Sequence, residues 1–242
     1  MRCLLIALCL FAAVAQAAPR AVFPQLWRTT LSEPADTGSW NIRIITEASG
    51  VMGFTYDDTV NFEIDWGDGS ISNINAGATG GTVLHTYADA GTNIVQLSGG
   101  VGTLRVADNT AYQRKVYGVE NPIAGLTGLT TLHSFFIGCT NLTSCHAGLF
   151  DESSSDMSSL VTLAFAFQST PALSNYPSLN TLQSLSSVER CWRYSKAQSF
   201  PEVNILSNSL SNITFSWGDC SSATSFPEVN ALTSVDSLGY TW

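Results

Sequence analysis

Four groups of side chains in this 242-residue chain have the types and spacings that could do chemistry. Asp65 and Asp68 flank Trp66-Gly67, with His85 further along; two carboxylates and an imidazole can hold calcium or act as acid and base. The plainer role is a tight turn, in which the glycines supply positive φ, Asp68 bonds its own backbone and His85 satisfies buried backbone groups. Cys139, Cys145 and His146, with His133 as the nearest fourth ligand, invite zinc. Zinc needs four convergent ligands, and side chains on a coil alternate between core and surface, so no metal is expected. The stretch 148–157, Gly-Leu-Phe-Asp-Glu-Ser-Ser-Ser-Asp-Met, offers hard oxygen ligands but lacks the Asp-x-Asp-x-Asp-Gly spacing of a calcium loop; a solvated insertion is expected.

The fourth group is the densest cationic cluster outside the N-terminus, Glu-Arg-Cys-Trp-Arg-Tyr-Ser-Lys at 189–196. Arginines beside aromatics are the material of binding hot spots. Arg190, Arg193, Tyr194 and Lys196 are therefore the candidate ligand-binding residues, suited to a carboxylate-bearing glycan or an acidic protein, while Trp192 is assigned to the core. Catalysis has little support. No Gly-x-Ser-x-Gly elbow is present, no cysteine has a protease context, and no Lys-Ser/Thr follows Gly77, Gly80 and Gly81 to make a phosphate loop. The chain reads as a non-enzyme without cofactors.

The elements that would position these groups are set by a recurring frame. In 213–230, Ile213, Trp217, Cys220, Ala223 and Phe226 stand at fixed intervals before a proline. The same frame fits Leu163, Phe167, Thr170, Leu173 and Tyr176, then Leu132, Phe136, Cys139, Leu142 and Cys145, and, with one deletion, Val188, Trp192, Ala197 and Phe200. The end positions 145, 176, 200 and 226 lie 31, 24 and 26 residues apart, a period that predicts stacked coils. Trp217, Cys220 and Phe226 become inward rungs. A partial copy starts at 238, from which a longer solenoid is expected.

Composition agrees with many short strands and turns: 45% of residues are hydrophobic and only 12% charged. Nineteen acidic against ten basic residues give a net charge of −9, which repels phosphate backbones and excludes nucleic acid as a partner. Met1-Arg2, a short apolar run and Ala15-Gln16-Ala17 predict a signal peptide over 1–17, too short to span a bilayer. The mature chain is expected to be exported, secreted or at the cell surface, with no membrane insertion. It retains Cys139, Cys145, Cys191 and Cys220, expected as structural free thiols at or beside inward positions.

Strands are expected at 25–30, after which 32–38 is a loop, and then at 39–45 and 60–65, where Val60, Phe62 and Ile64 share a face. Phe-Glu-Ile-Asp-Trp-Gly-Asp-Gly-Ser at 62–70, followed by His-Thr-Tyr-Ala-x-x-Gly-Thr-x-x-Val-x-Leu at 85–97, resembles the PKD-type immunoglobulin-like β-sandwich, with Asn93 where that family usually has a buried Tyr. Phe-x-x-Cys-x-x-Leu-x-x-Cys at 136–145 and Trp-x-x-Cys-x-x-Ala-x-x-Phe-Pro at 217–227 resemble the BspA-type leucine-rich repeat of bacterial surface proteins. The resemblances imply a mainly β protein, an Ig-like sandwich packed on a C-terminal leucine-rich-repeat solenoid. Its parts would be the signal peptide at 1–17, the sandwich at 18–106, a divergent first coil or cap at 107–125 and the repeats at 126–242. The function they imply is non-catalytic adhesion to an extracellular protein or glycan through the repeat surface. Alternatives are the accessory portion of a secreted hydrolase and a structural envelope or virion component.

Overall fold

The computed structural model describes residues 38–151, 157–206 and 208–239. The expected leader at 1–17, the strand at 25–30, the loop at 32–37, the middle of the acidic insertion and the last three residues lie outside the described residues. The described chain is mainly β, an open mixed sheet of eight strands.

Five strands come first: β1 (Trp40–Thr46), β2 (Val51–Asp65), β3 (Ile71–Ile74), β4 (Gly81–Thr86) and β5 (Gly91–Val106). β5 lies antiparallel between β1 and β2, while the other side of β2 carries β4 along 51–56 and β3 along 62–65. Alternation sets the faces: Trp40, Ile42 and Ile44 on β1, Phe62 and Ile64 on β2, and Val95 and Leu97 on β5 are all buried. β2 and β5 are too long to stay flat, and both change course together. The register between them shifts across 60–63, Asp58 and Asn61 adopt φ of 53° and 49°, and Gly99 sits opposite at 97°. A Cβ at Gly99 would lie 2.1 Å from the Asn61 carbonyl oxygen, so the bend requires glycine there.

The sheet runs on past residue 106. After a one-turn helix α1 (Thr110–Gln113), whose first turn is capped by the Asn109 side chain, β6 (Val116–Val119) pairs antiparallel with β1. Two short strands add in parallel, β7 (Leu126–Thr127) on β5 and β8 (Ser144–Cys145) on β6. β1 thus has a partner from each side of the expected boundary at 106/107.

From Thr103 onward a ladder of single parallel bridges extends the sheet: Thr103 to Thr131, then Thr162, Ser187, Asn212 and Ser237. Around each bridge, alternate backbone N–H groups donate to the next rung and the others close local turns. Leu132, Ser134, Phe136 and Gly138 donate to the carbonyls of Thr162, Ala164, Ala166 and Gln168, while Phe135, Ile137 and Cys139 donate three residues back. The same alternation recurs from Leu163, from Val188 and from Ile213. Backbone groups are thereby satisfied although few residues qualify as strand. Aromatic rings run inside from Trp40 through Phe135 and Phe136 to Phe167, and half-buried Tyr176 links these to buried Trp192 and Trp217, with neighbouring centroids 4.5 to 6.2 Å apart.

Two inward expectations need correction. Phe226 is 40% exposed, because Tyr176, Phe200 and Phe226 form a half-buried stack along the rim, with Phe200 and Phe226 5.9 Å apart. Cys145 is half-buried on β8. The assumed deletion in the third copy also hid a member: Ser195 is buried one rung from Thr170 and Cys220, at the position assigned to Cys139 in the first copy.

Candidate functional site

The Asp68 turn is built for structure. Gly67 N–H donates to Asp65 Oδ1 at 2.8 Å and Ser70 N–H to Asp68 Oδ1 at 3.0 Å, so one oxygen of each carboxylate caps the turn. His85 Nε2 lies 2.7 Å from Asp68 Oδ2, and its ring stacks on Trp66 at 5.0 Å and meets Tyr87 edge-on at 4.6 Å. His85 therefore pairs with a carboxylate instead of capping buried backbone; the backbone role falls to Tyr87, whose hydroxyl donates to the Trp66 carbonyl at 2.9 Å. Partial burial opposes ionisation of Asp68, but the hydrogen bonds from His85 and Ser70 outweigh it and hold its carboxyl below the ordinary value. These contacts fix the turn between β2 and β3 and tie it to the end of β4.

The cationic cluster takes a shape the linear sequence does not reveal. Phe165, Arg190 and Phe215 occupy the same place on successive rungs, and the Arg190 guanidinium lies between the two rings, 5.2 Å from Phe165 and 5.3 Å from Phe215. Arg193 lies over Tyr194 at 4.5 Å and Phe215 at 5.1 Å, and its guanidinium pairs with Asp219 at 3.0 Å. His133 continues the strip, its ring 5.1 Å from Phe165. Each such cation–ring contact contributes about 0.5–1 kcal/mol at a partly exposed site.

Of the four residues singled out, the structure brings Arg190, Arg193 and Tyr194 together and leaves Lys196 exposed, without a hydrogen bond or ion pair to them. Arg193 is committed to Asp219. Arg190 is less so: Glu189 stands 3.7 Å from its Nε, which is buried and has no hydrogen-bond partner. Phe165, Phe215 and Asp219 were missed, since a residue 25 positions away in sequence becomes a neighbour only through the rung spacing. The available signal was the frame itself, carried two residues beyond each inward Leu, Val or Ile.

The backbone adds a second property to this strip. Ser134, Phe165, Arg190 and Phe215 all have positive φ, from 50° to 61°, and so do Ser169, Tyr194 and Asp219, at 58° to 62°. For a residue with a Cβ this conformation costs about 1–2 kcal/mol, which glycine would avoid.

The thiols form no site. Cys139, Cys191 and Cys220 are buried, all four cysteines are free, and burial pushes each thiol well above its ordinary value, keeping it protonated and unreactive. His133 Nδ1 is engaged by the Ser134 hydroxyl and His146 Nδ1 accepts from Gly148 N–H. Among the described residues no group of His, Cys, Asp or Glu could hold a metal ion. In the acidic insertion Asp151 is described and Met157 is buried. No helix among the described residues is long and apolar enough to cross a membrane.

Comparison of the chain with protein-family models, with curated proteins and with solved structures gave no match.

Proposed function

We propose that the protein is an exported, non-catalytic binding protein that recognises an extracellular protein or glycan through the outward strip of its ladder, with Arg190, Arg193 and Tyr194 at the centre and Lys196 at the margin. In this reading a PKD-type sandwich over 18–106 is continued through 107–125 into a BspA-type solenoid over 126–242, and β5 hands its edge to the first rung.

The observation that carries the reading is the strained strip. Bulky side chains stand at Phe165, Arg190, Phe215 and Tyr194 on backbone that favours glycine. Strain retained at the surface is characteristic of residues kept for what their side chains do there. Tyr194 is 44% exposed, and Arg190 is held rigid by two rings, so little side-chain entropy is left to lose on binding.

The test is an array of extracellular proteins and glycans probed with the full mature chain and with Arg190→Gly and Tyr194→Gly. Glycine suits the backbone at both positions, so the variants should melt with the parent while losing the hits. No hit for the parent, or hits that survive both substitutions, overturns the reading.

A further inference from the structure

We infer that the cleft between β3 and β4 is a separate recognition site for an uncharged saccharide. It shares no residue with the Arg190 strip and stands or falls independently of the function proposed above.

The cleft follows from the bend. β3 and β4 lie along the same side of β2, in the same direction, but β2 changes course between their stretches and the chain at 75–80 loops out. A space of about 610 Å³ opens there, within the range of small-molecule sites. Tyr56 of β2 and Ile74 of β3 lie at its inner side, with Ser72 and Asn73 on one flank and Thr82 and Leu84 on the other. Glycine at 81 leaves room for the phenol, since a Cβ there would come within 2.9 Å of the Tyr56 hydroxyl oxygen.

The lining selects the ligand class. No Asp, Glu, Lys, Arg or His lines the cleft, so a charged ligand would lose hydration without a counter-charge. The Tyr56 hydroxyl and the Asn73 amide have no hydrogen-bond partner among the described residues, while Ser72 and Thr82 are engaged by Trp66 and Thr55. A purely apolar ligand would cover these two groups without satisfying them. A sugar supplies both needs: hydroxyls that give and accept hydrogen bonds, and a C–H face to lie on the Tyr56 ring. An added peptide strand fits less well, because β3 and β4 are four and six residues long and the loop interrupts the edge between them.

Calorimetric titration of the full mature chain with short neutral gluco-, manno-, xylo- and N-acetylglucosamine oligosaccharides tests this. At least one should bind saturably, and Asn73→Ala and Tyr56→Phe should each weaken it about tenfold with the melting temperature unchanged. Absence of binding to every sugar at about 10 mM, or affinity unchanged in both variants, overturns the proposal. So does binding of an extended peptide in the cleft, detected by amide exchange at β4, without any sugar binding.

Discussion

The two halves of the molecule place different residues where the backbone goes to positive φ. Between 40 and 106 these positions belong to Gly67, Gly69, Gly77, Gly80 and Gly99, or to the short polar Ser49, Asp58 and Asn61. In the ladder they belong to Ser134, Phe165, Arg190, Phe215, Ser169, Tyr194 and Asp219, with glycine at Gly138 on the first rung. At two of the glycines in the first half the demand comes from neighbouring backbone: a Cβ would meet the Ile94 carbonyl oxygen at 2.5 Å from Gly67 and that of Asn61 at 2.1 Å from Gly99, whereas Gly69 and Gly77 have open space there and answer to φ alone. In the second half the side chains are kept although the backbone would relax without them. Glycine answers crowding at Gly67 and Gly99, whereas larger side chains stand at positive φ in the ladder.

The largest effect that probes this contrast is in the core both halves share. Trp192 is buried and stacks on Trp217 at 5.5 Å and 11°. Trp192→Ala should cost about 3–5 kcal/mol in chemical denaturation. Its indole Nε1 is buried without a hydrogen-bond partner, so Trp192→Phe removes an unmet donor along with some packing and should cost far less. Equal losses for the two variants would mean that a phenyl ring recovers none of the stacking and that the full indole surface carries the stability.

Next comes the direct comparison. Gly99→Ala should cost at least about 2 kcal/mol, from left-handed strain plus displacement of Asn61. Arg190→Gly should lie within about 1 kcal/mol of the parent, because relief of strain offsets the lost ring contacts. A loss at Arg190→Gly as large as that at Gly99→Ala would make the strip a structural device.

The smallest effect is at the Asp68 turn. Its carboxyl titrates below the ordinary 3.8, so its stabilising contribution is present above that value and is lost as pH falls through the lower folded value. Asp68→Asn should therefore melt below the parent near neutrality, and the gap should close in acid. A gap independent of pH would show that the ionised carboxylate is not what stabilises the turn.

Much of this was legible in the sequence, where local rules suffice. Leu163, Phe167, Leu173, Val188, Trp192, Ile213 and Trp217 were assigned inward by spacing, and each is buried. Phe226 was misplaced because a spacing rule sees a periodic aromatic but not whether its column runs through the core or along the rim. Ser195 was missed because the one-residue deletion in its copy left no residue assigned between Trp192 and Ala197. Of the candidate site, Arg190, Arg193 and Tyr194 were legible by type and crowding; their partners Phe165, Phe215 and Asp219 were not.

By itself the sequence determined most of the residues that turn inward, such as Leu163, Trp192 and Ile213, and the glycines of the turn at 67–69, since burial periodicity and tight-turn chemistry are properties of a few consecutive residues. Tertiary structure alone decided that Arg190 is clamped between rings 25 residues to either side, that β1 is shared across residue 106, and that β2 bends to open a cleft beneath Tyr56. Those are pairings between distant segments, and they exist only once the hydrogen bonds between rungs and strands have fixed which residues become neighbours.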